Sequence, residues 1–232
     1  MPDSSDIDPS RLPELVDSLP GIDALREIAG TLPAYLVGGV VRDLLLGRPV
    51  EDFDLAVEAD ADALSGIPGF EPERESMFLT GRLSVGDETV DIAGTRAERY
   101  PGPGALPEVR SASIEEDLAR RDFTINAMAV RLPDGAFTDP FGGVRALADR
   151  VLDTPLDPEV SFSDDPLRMV RAARFVAQLD VRPTRRLTQA IAAMRSRLGI
   201  VAPERLRVEL DKLVVAPQAS DGLALLVSTT TS

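Results

Sequence analysis

The sequence predicts an α+β protein: a head built on a small mixed sheet of about five strands backed by helices, followed by an all-α neck. Three observations carry this. Before residue 160, segments with period-2 alternation, such as Asp52–Val57 and Thr89–Ala93, are interleaved with short helical stretches that end at glycine. From Ser163 the apolar spacing becomes helical and stays so. The charge divides at the same place. Residues 161–232 carry 11 basic and 7 acidic side chains, residues 1–160 carry 14 and 32, and the formal charge of the whole is −14.

The 232 residues suffice for one large or two small domains, and a hydrophobic share of 44% supports a core. The chain has no Cys, which rules out disulfides, zinc–thiolate sites and thiol nucleophiles. It has no His, so the commonest general base is missing and carboxylates remain as the strong metal ligands. That set suits Mg²⁺ or Mn²⁺ rather than zinc. No apolar run is long enough to span a bilayer and no signal peptide is visible, so a cytoplasmic protein without a membrane partner is expected.

Residues 1–20 are rich in Pro, Asp and Ser without a period, and read as a flexible N-terminal arm. Ile22, Leu25, Ile28 and Ala29 are spaced as one helix face, stopped by Gly30. Ala34–Val37 is a short apolar strand, Gly38-Gly39 a turn, and VVRDLLLG a helix ending at Gly47. Two glycines at a helix start let phosphate approach backbone N–H groups, and Arg42 in the first turn could grip it with two parallel hydrogen bonds. A plain turn followed by a surface arginine fits the same residues.

Asp52–Val57 reads as a strand on which Asp52 and Asp54 share a face while Phe53 and Leu55 turn away. Paired carboxylates at a sheet edge suit two Mg²⁺ ions about 3.5–4 Å apart. A solvated acidic strand end is the alternative, and it loses ground because G-G-x-x-R-D stands just upstream. Phe78–Val85 and Thr89–Ala93 are further strands, with Gly86-Asp87 as a hairpin signal. Asp91 in the second is either a third metal-facing carboxylate or a strand residue with a local hydrogen bond.

Ala97–Val109, with three prolines and two glycines, reads as a loop, either lid or linker. Ser113–Ala119 is a short helix opened by a capping box between Ser113 and Glu116. Arg120, Arg121 and Asp122 cluster before an apolar strand, Ala127–Arg131, and form either a salt-bridge corner or a ligand contact. Asp139-Pro-Phe-Gly-Gly is a turn, followed by a helix over Val144–Ala148 and a strand over Arg150–Asp153.

In the neck, Ser163 is expected to cap a helix running Asp164–Leu179. Leu167, Val170, Ala173 and Val176 line its apolar face, and Asp165, Arg168, Arg171 and Arg174 another. That polar face is either a solvated ladder or a surface that reads a base edge and grips phosphates. Helices follow over Thr184–Leu198 and Pro203–Val214, and a fourth starts near Ser220.

In order, LVGGVVRDLLLG with EDFDLAV, VDIAGTR, EEDLARRDFTINAMAV, DPFGG, DDPLRMVRAARF and ERLRVELDKLV resemble the class II tRNA nucleotidyltransferase (CCA-adding enzyme) and bacterial poly(A) polymerase family. That family lies within the polymerase-beta-like nucleotidyltransferases. The resemblance spans residues 34–214 and implies a nucleotidyltransferase head over 21–154 and a helical neck over 155–232, stopping before the family's body and tail helices. It implies that Gly38, Gly39 and Arg42 hold the triphosphate and that Asp52 and Asp54, with Asp91 as a candidate third, bind two Mg²⁺ ions (Mn²⁺ as substitute). Arg121 and Asp122 would contact phosphate and ribose, supported by Asn126. Asp165 and Arg168 would read the edge of C or A, with Arg171 and Arg174 facing phosphates. The family's Glu-Asp-x-x-Arg stands here as Asp164-Asp165-Pro166-Leu167-Arg168.

The activity implied is template-independent transfer of CMP and AMP from CTP and ATP to an RNA 3′ end, above all CCA addition to tRNA. VDIAGTR is more similar to the CCA-adding than to the poly(A)-adding members. CC-only, A-only or poly(A) addition are the enzymatic alternatives. A non-catalytic nucleotide-binding subunit, completed by a partner chain that supplies RNA binding, is the alternative of another class.

Overall fold

The computed structural model describes residues 7–30, 32–50, 53–73, 80–85, 88–99, 108–132 and 134–228. In chain order the head contains α1 (Leu12–Asp17), α2 (Ile22–Ala29), β1 (Ala34–Val37), α3 (Gly39–Leu45), β2 (Phe53–Val57), α4 (Ala61–Ser65), β3 (Phe70–Pro72), β4 (Thr80–Val85), β5 (Glu88–Gly94), β6 (Arg96–Arg99), β7 (Glu108–Ser111), α5 (Ile114–Ala119), β8 (Ala129–Leu132), β9 (Phe137–Thr138), α6 (Gly143–Ala148) and β10 (Val151–Leu152). The neck follows with α7 (Pro158–Asp164), α8 (Arg168–Leu179), β11 (Arg182–Pro183), α9 (Arg185–Met194), α10 (Pro203–Val214) and α11 (Ala219–Ser228). No helix among the described residues is long and apolar enough to cross a membrane.

The α+β prediction holds, and the sheet is larger than expected. Seven strands run in the order β3-β4-β5-β2-β1-β8-β9. β1 is antiparallel to β2 and β8, and β2 is parallel to β5. The strands that escaped prediction, β3 and β9, have three and two residues, too short to show a period. β2 has the expected alternation. Phe53, Leu55 and Val57 enter the main core, whereas Ala56 joins Tyr35 and Val37 on the other face, covered by Ile114 and Leu118 of α5. Asp54 shares the face of Ala56.

Several local expectations need correction. The N-terminal arm is ordered over its described part: Asp8 caps a 3₁₀ turn, and Leu12 and Val16 of α1 are buried in the main core. The loop expected over 97–109 is flanked by β6 and β7, which pair antiparallel from Arg96↔Ser111 to Arg99↔Glu108; residues 100–107, like Gly86-Asp87, lie outside the described residues. Thr124–Asn126 is a 3₁₀ turn, and the strand after it starts at Ala129.

The single helix expected from Asp164 is two helices. Asp157 caps α7, and the chain breaks at Asp165, which is extended at φ −141°, ψ 100°. The cause is Pro166, whose ring disfavours the helical region for the residue before it. Ser163 therefore sits inside α7 instead of capping. The helix capped by Thr184 ends at Met194 and continues as a 3₁₀ segment, Arg195–Ile200. α10 has the predicted bounds, and the capping box of α5 is formed, with the Glu116 amide donating to Ser113 Oγ at 3.4 Å and the Ser113 amide to Glu116 Oε2 at 3.2 Å.

Head and neck share one core. Leu36, Ile125 and Met128 of the head belong to the same buried cluster as Phe162, Met169, Phe175 and Leu187 of the neck. Phe123 and Phe175 meet edge to face with centroids 5.5 Å apart. β10 pairs with β11 in parallel, and Arg186 ties α9 to Asp153 at 2.8 Å.

Candidate active site

The parallel pairing of β2 and β5 sets Asp54 directly beside Asp91. Neighbouring strands lie about 4.8 Å apart and register partners project to one side, so two carboxylates enter the same cleft. That cleft, of ≈ 650 Å³, is also lined by Arg82, Asp117, Arg120 and Arg121. Arg82 donates to Asp91 at 3.2 Å in an exposed pair. Asp52 lies outside the described residues.

Gly38 closes one side. It has φ +68°, and a Cβ there would stand 2.8 Å from Arg121 Nη1 and 3.6 Å from Asp54 Oδ2. The positive φ favours glycine here, and a side chain would in addition push the Arg121 guanidinium aside. Arg121 is held from behind by Asp117, which accepts from its Nη2 at 3.1 Å. Asp117 is itself buried and also accepts from Arg120 Nη2 at 2.6 Å and from the Arg96 amide at 3.2 Å. Burial opposes its ionisation, but the charges of Arg121 and Arg120 outweigh it and hold the carboxyl below its usual range. Arg121 Nε is buried and has no hydrogen-bond partner. The Arg121 side chain nevertheless lines the cleft with Asp54 and Asp91, where a guanidinium suits an anionic ligand.

Asp54 and Asp91 offer oxygen donors to a hard cation. Among the described residues no three carboxylates converge into a ready metal cage. Such an open pair fits an ion that Mg²⁺-like chemistry completes with substrate phosphates and water.

A second cleft, of ≈ 660 Å³, lies where head meets neck and shares Arg120 with the first. Asp165 and Arg168 line it. The break at Pro166 gives them distinct supports: Asp165 sits on extended backbone and Arg168 begins α8. Arg168 donates from Nη1 to Ser161 Oγ at 2.8 Å and from Nη2 to the Arg120 carbonyl at 2.5 Å. Asp165 accepts from the Leu167 amide at 3.1 Å and from Arg205 at 2.9 Å.

Arg42, Asp122, Asn126, Arg171 and Arg174 come together, but away from the lining of both clefts. Arg42 holds Asp43 through two bonds of 3.0 and 2.7 Å and donates to Asn126 Oδ1 at 2.7 Å. Asn126 Nδ2 donates to Asp122 Oδ1 at 2.9 Å. Arg171 donates to Asp122 Oδ2 from Nε at 2.9 Å and from Nη2 at 2.5 Å, and to Glu209 at 3.2 Å. Arg174 donates to Glu209 at 2.6 Å and lies 4.1 Å over the Phe175 ring. With the Phe123 amide at 2.8 Å, Asp122 spends about four acceptor positions on protein donors. Burial opposes its charge, yet Arg171 foremost, with Asn126, lowers its pKa to about 2. Burial and the neighbouring Arg171 push Arg174 down.

These residues therefore form a largely buried charge network joining head to neck, and the contact with phosphate or ribose expected of Asp122 would require protein bonds to be given up. The residues that sequence reasoning missed are partners of the predicted ones: Asp43 of Arg42, Asp117 of Arg121, Ser161 of Arg168, Arg205 of Asp165 and Glu209 of Arg171 and Arg174. A run of acids before two arginines, EEDLARR, was the one local signal, for Asp117.

The fold defines a class: a mixed-sheet head carrying a helical neck. The chain belongs to the poly(A) polymerase head-domain family, whose model matches residues 34–153. A second model, for a probable RNA- and SrmB-binding site of polymerase A, matches residues 181–230. The chain is similar to a CCA-adding enzyme of Geobacillus sp. (strain WCH70), 40% identical over 200 residues, which cover 84% of this chain and 49% of the relative. It is 45% identical over 177 residues to an A-adding tRNA nucleotidyltransferase of Aquifex aeolicus, covering 73% of this chain and 21% of the relative. Among solved structures it is similar to the Bacillus stearothermophilus CCA-adding enzyme in complex with CTP, with a TM-score of 0.79, 34% identity, and coverage of 90% of this chain and 52% of that one. The chain thus spans from about a fifth to about half of these relatives' length.

Proposed function

We propose that the chain forms the nucleotide-binding and catalytic part of a template-independent nucleotidyltransferase that adds CMP and AMP, from CTP and ATP, to the 3′ end of tRNA. The observation that carries this reading is the meeting of two clefts at Arg120, one lined by carboxylates and Arg121, the other by Asp165 and Arg168. The triphosphate lies along the first, with the Arg121 guanidinium that lines it donating to the phosphates. The base enters the second, where Asp165 accepts from its amino group and Arg168 donates to its ring nitrogen. Asp54 and Asp91, together with Asp52, hold divalent ions, which when bound neutralise phosphate charge and ease deprotonation of the attacking hydroxyl. The RNA 3′ oxygen bonds to the α-phosphorus, the bond to the β-phosphate oxygen breaks, and pyrophosphate leaves. The protein contributes position and charge, not a covalent intermediate.

Support comes from relatives named for CCA and A addition. Because both resemble the same head and neck, the choice among CCA, CC, A or poly(A) addition rests on other parts of those proteins or on finer detail. A second reading is favoured by the exposed apolar side chains Val208, Val214, Val215, Leu223 and Val227 of α10, α11 and their junction: a further chain packs on this part of the neck and supplies grip on RNA. Incubation with labelled CTP or ATP, Mg²⁺ and tRNA lacking its terminal CCA tests the proposal. Incorporation by the wild type, lost in Asp54→Asn while CTP still binds, is the expected result. A chain that binds neither CTP nor ATP refutes it. A chain that binds nucleotide but incorporates only when a partner is added selects the second reading.

A further inference from the structure

Arg205 stands in the first turn of α10, the end of a helix where the dipole disfavours a cation. It reaches across 40 positions of sequence to Asp165, Nη2 donating to Oδ2 at 2.9 Å. Arg205 is 56% exposed and Asp165 28%, and a pair so open to water adds little to folding. Both residues line the cleft that holds Arg168. Its placement is thus poorly explained by helix stability or by packing.

The geometry does explain it. Asp165 Oδ1 accepts from the Leu167 amide at 3.1 Å while Oδ2 accepts from Arg205. The carboxylate is gripped at both oxygens, and each oxygen keeps a further lone pair for a ligand. Arg168 is gripped as well, by Ser161 Oγ and the Arg120 carbonyl, with two of its five N–H donors used. We propose that Arg205 is a specificity-determining residue: by clamping Asp165 it fixes the direction of the acceptor that an incoming base must match. This rests on the base-reading role proposed above for Asp165 and Arg168.

Cytosine and adenine present an amino donor beside an unprotonated ring nitrogen, the complement of a fixed acceptor next to a fixed donor. Uracil and guanine present a carbonyl beside a protonated ring nitrogen, the reverse order. A carboxylate free to turn can swing an oxygen toward that ring N–H and accept the wrong base. A carboxylate held at both ends cannot.

The test uses the full chain, with Arg205→Ala and Arg205→Lys, titrated calorimetrically with CTP, ATP and UTP in the presence of Mg²⁺. The wild type should prefer CTP to UTP. Arg205→Ala should lose about threefold of that preference, the scale of an exposed ion pair, mainly through tighter UTP binding, with an unchanged melting temperature. Arg205→Lys should retain most of it. An alanine variant that keeps the wild-type CTP-to-UTP ratio, or weakens both nucleotides equally, overturns the role of Arg205 and leaves that of Asp165 standing. A wild type that binds CTP and UTP alike overturns the base-reading assignment, and this inference with it.

Discussion

Replacing Asp122 with Asn tests whether the buried network, and not ligand binding, is what this carboxylate serves. The side chain keeps its shape and loses its charge, and Arg171 is left beside Glu209 with an amide where a carboxylate stood. The fold lowers the Asp122 pKa from 3.8 to about 2. At about 1.4 kcal/mol per pH unit this is roughly 2 kcal/mol of stability at neutral pH. The sign follows from the depressed value: the contribution is fully present above the unfolded pKa of 3.8 and is lost as pH falls through about 2. Urea denaturation of wild type and variant should therefore differ by roughly 2 kcal/mol at pH 7, by nearly as much at pH 4, and by little near pH 2. For a chain of this size that gap is a fall in melting temperature of about 4–8 °C. A gap as large near pH 2 as at pH 7 would refute the assignment of the stability to this ionised group, and no gap at pH 7 would refute the network itself.

Two further outcomes follow from the same geometry. Arg121→Gln should weaken CTP at least about tenfold while leaving cytidine binding unchanged, because charge-assisted bonds to phosphate are what it loses; equal losses for CTP and cytidine in calorimetry would place the triphosphate elsewhere. Phe175→Ala should cost about 3–5 kcal/mol in urea denaturation, since the ring is buried, packs on Phe123 and carries Arg174; a loss below about 1 kcal/mol would mean the junction repacks without it.

Much of the site was legible because its signals are local. Asp54 is placed by strand alternation, Gly38 by a glycine at a strand-to-helix turn, and the α5 start by a four-residue box. Asp91 was half legible: its strand was clear, but only the parallel register with β2 sets it beside Asp54. The break before α8 is legible in Pro166, although the apolar period running across the proline masks it. The protein partners of Arg42, Arg171 and Arg174 are not readable locally. Their partners lie 84, 49 and 35 positions away, and an arginine looks the same in sequence whether it faces a phosphate or a buried glutamate. Glu209 and Arg205 are separated by one helical turn on α10 and serve different sites, which no periodicity reveals.

The charge network makes head and neck a matched pair rather than interchangeable parts. Asp122 and Asn126 come from one side of the junction, Arg171, Arg174 and Glu209 from the other. A neck exchanged between relatives would bring its arginines to a foreign carboxylate, and a misfit would strand a buried charge. Chimeras should therefore tolerate crossovers in the outer surfaces of α9 and α11 far better than any that separate Asp122 from Arg171. Inheritance of the two halves is in this sense coupled: the carboxylate that holds Arg171 of α8 is written 49 positions upstream, before the sheet is complete.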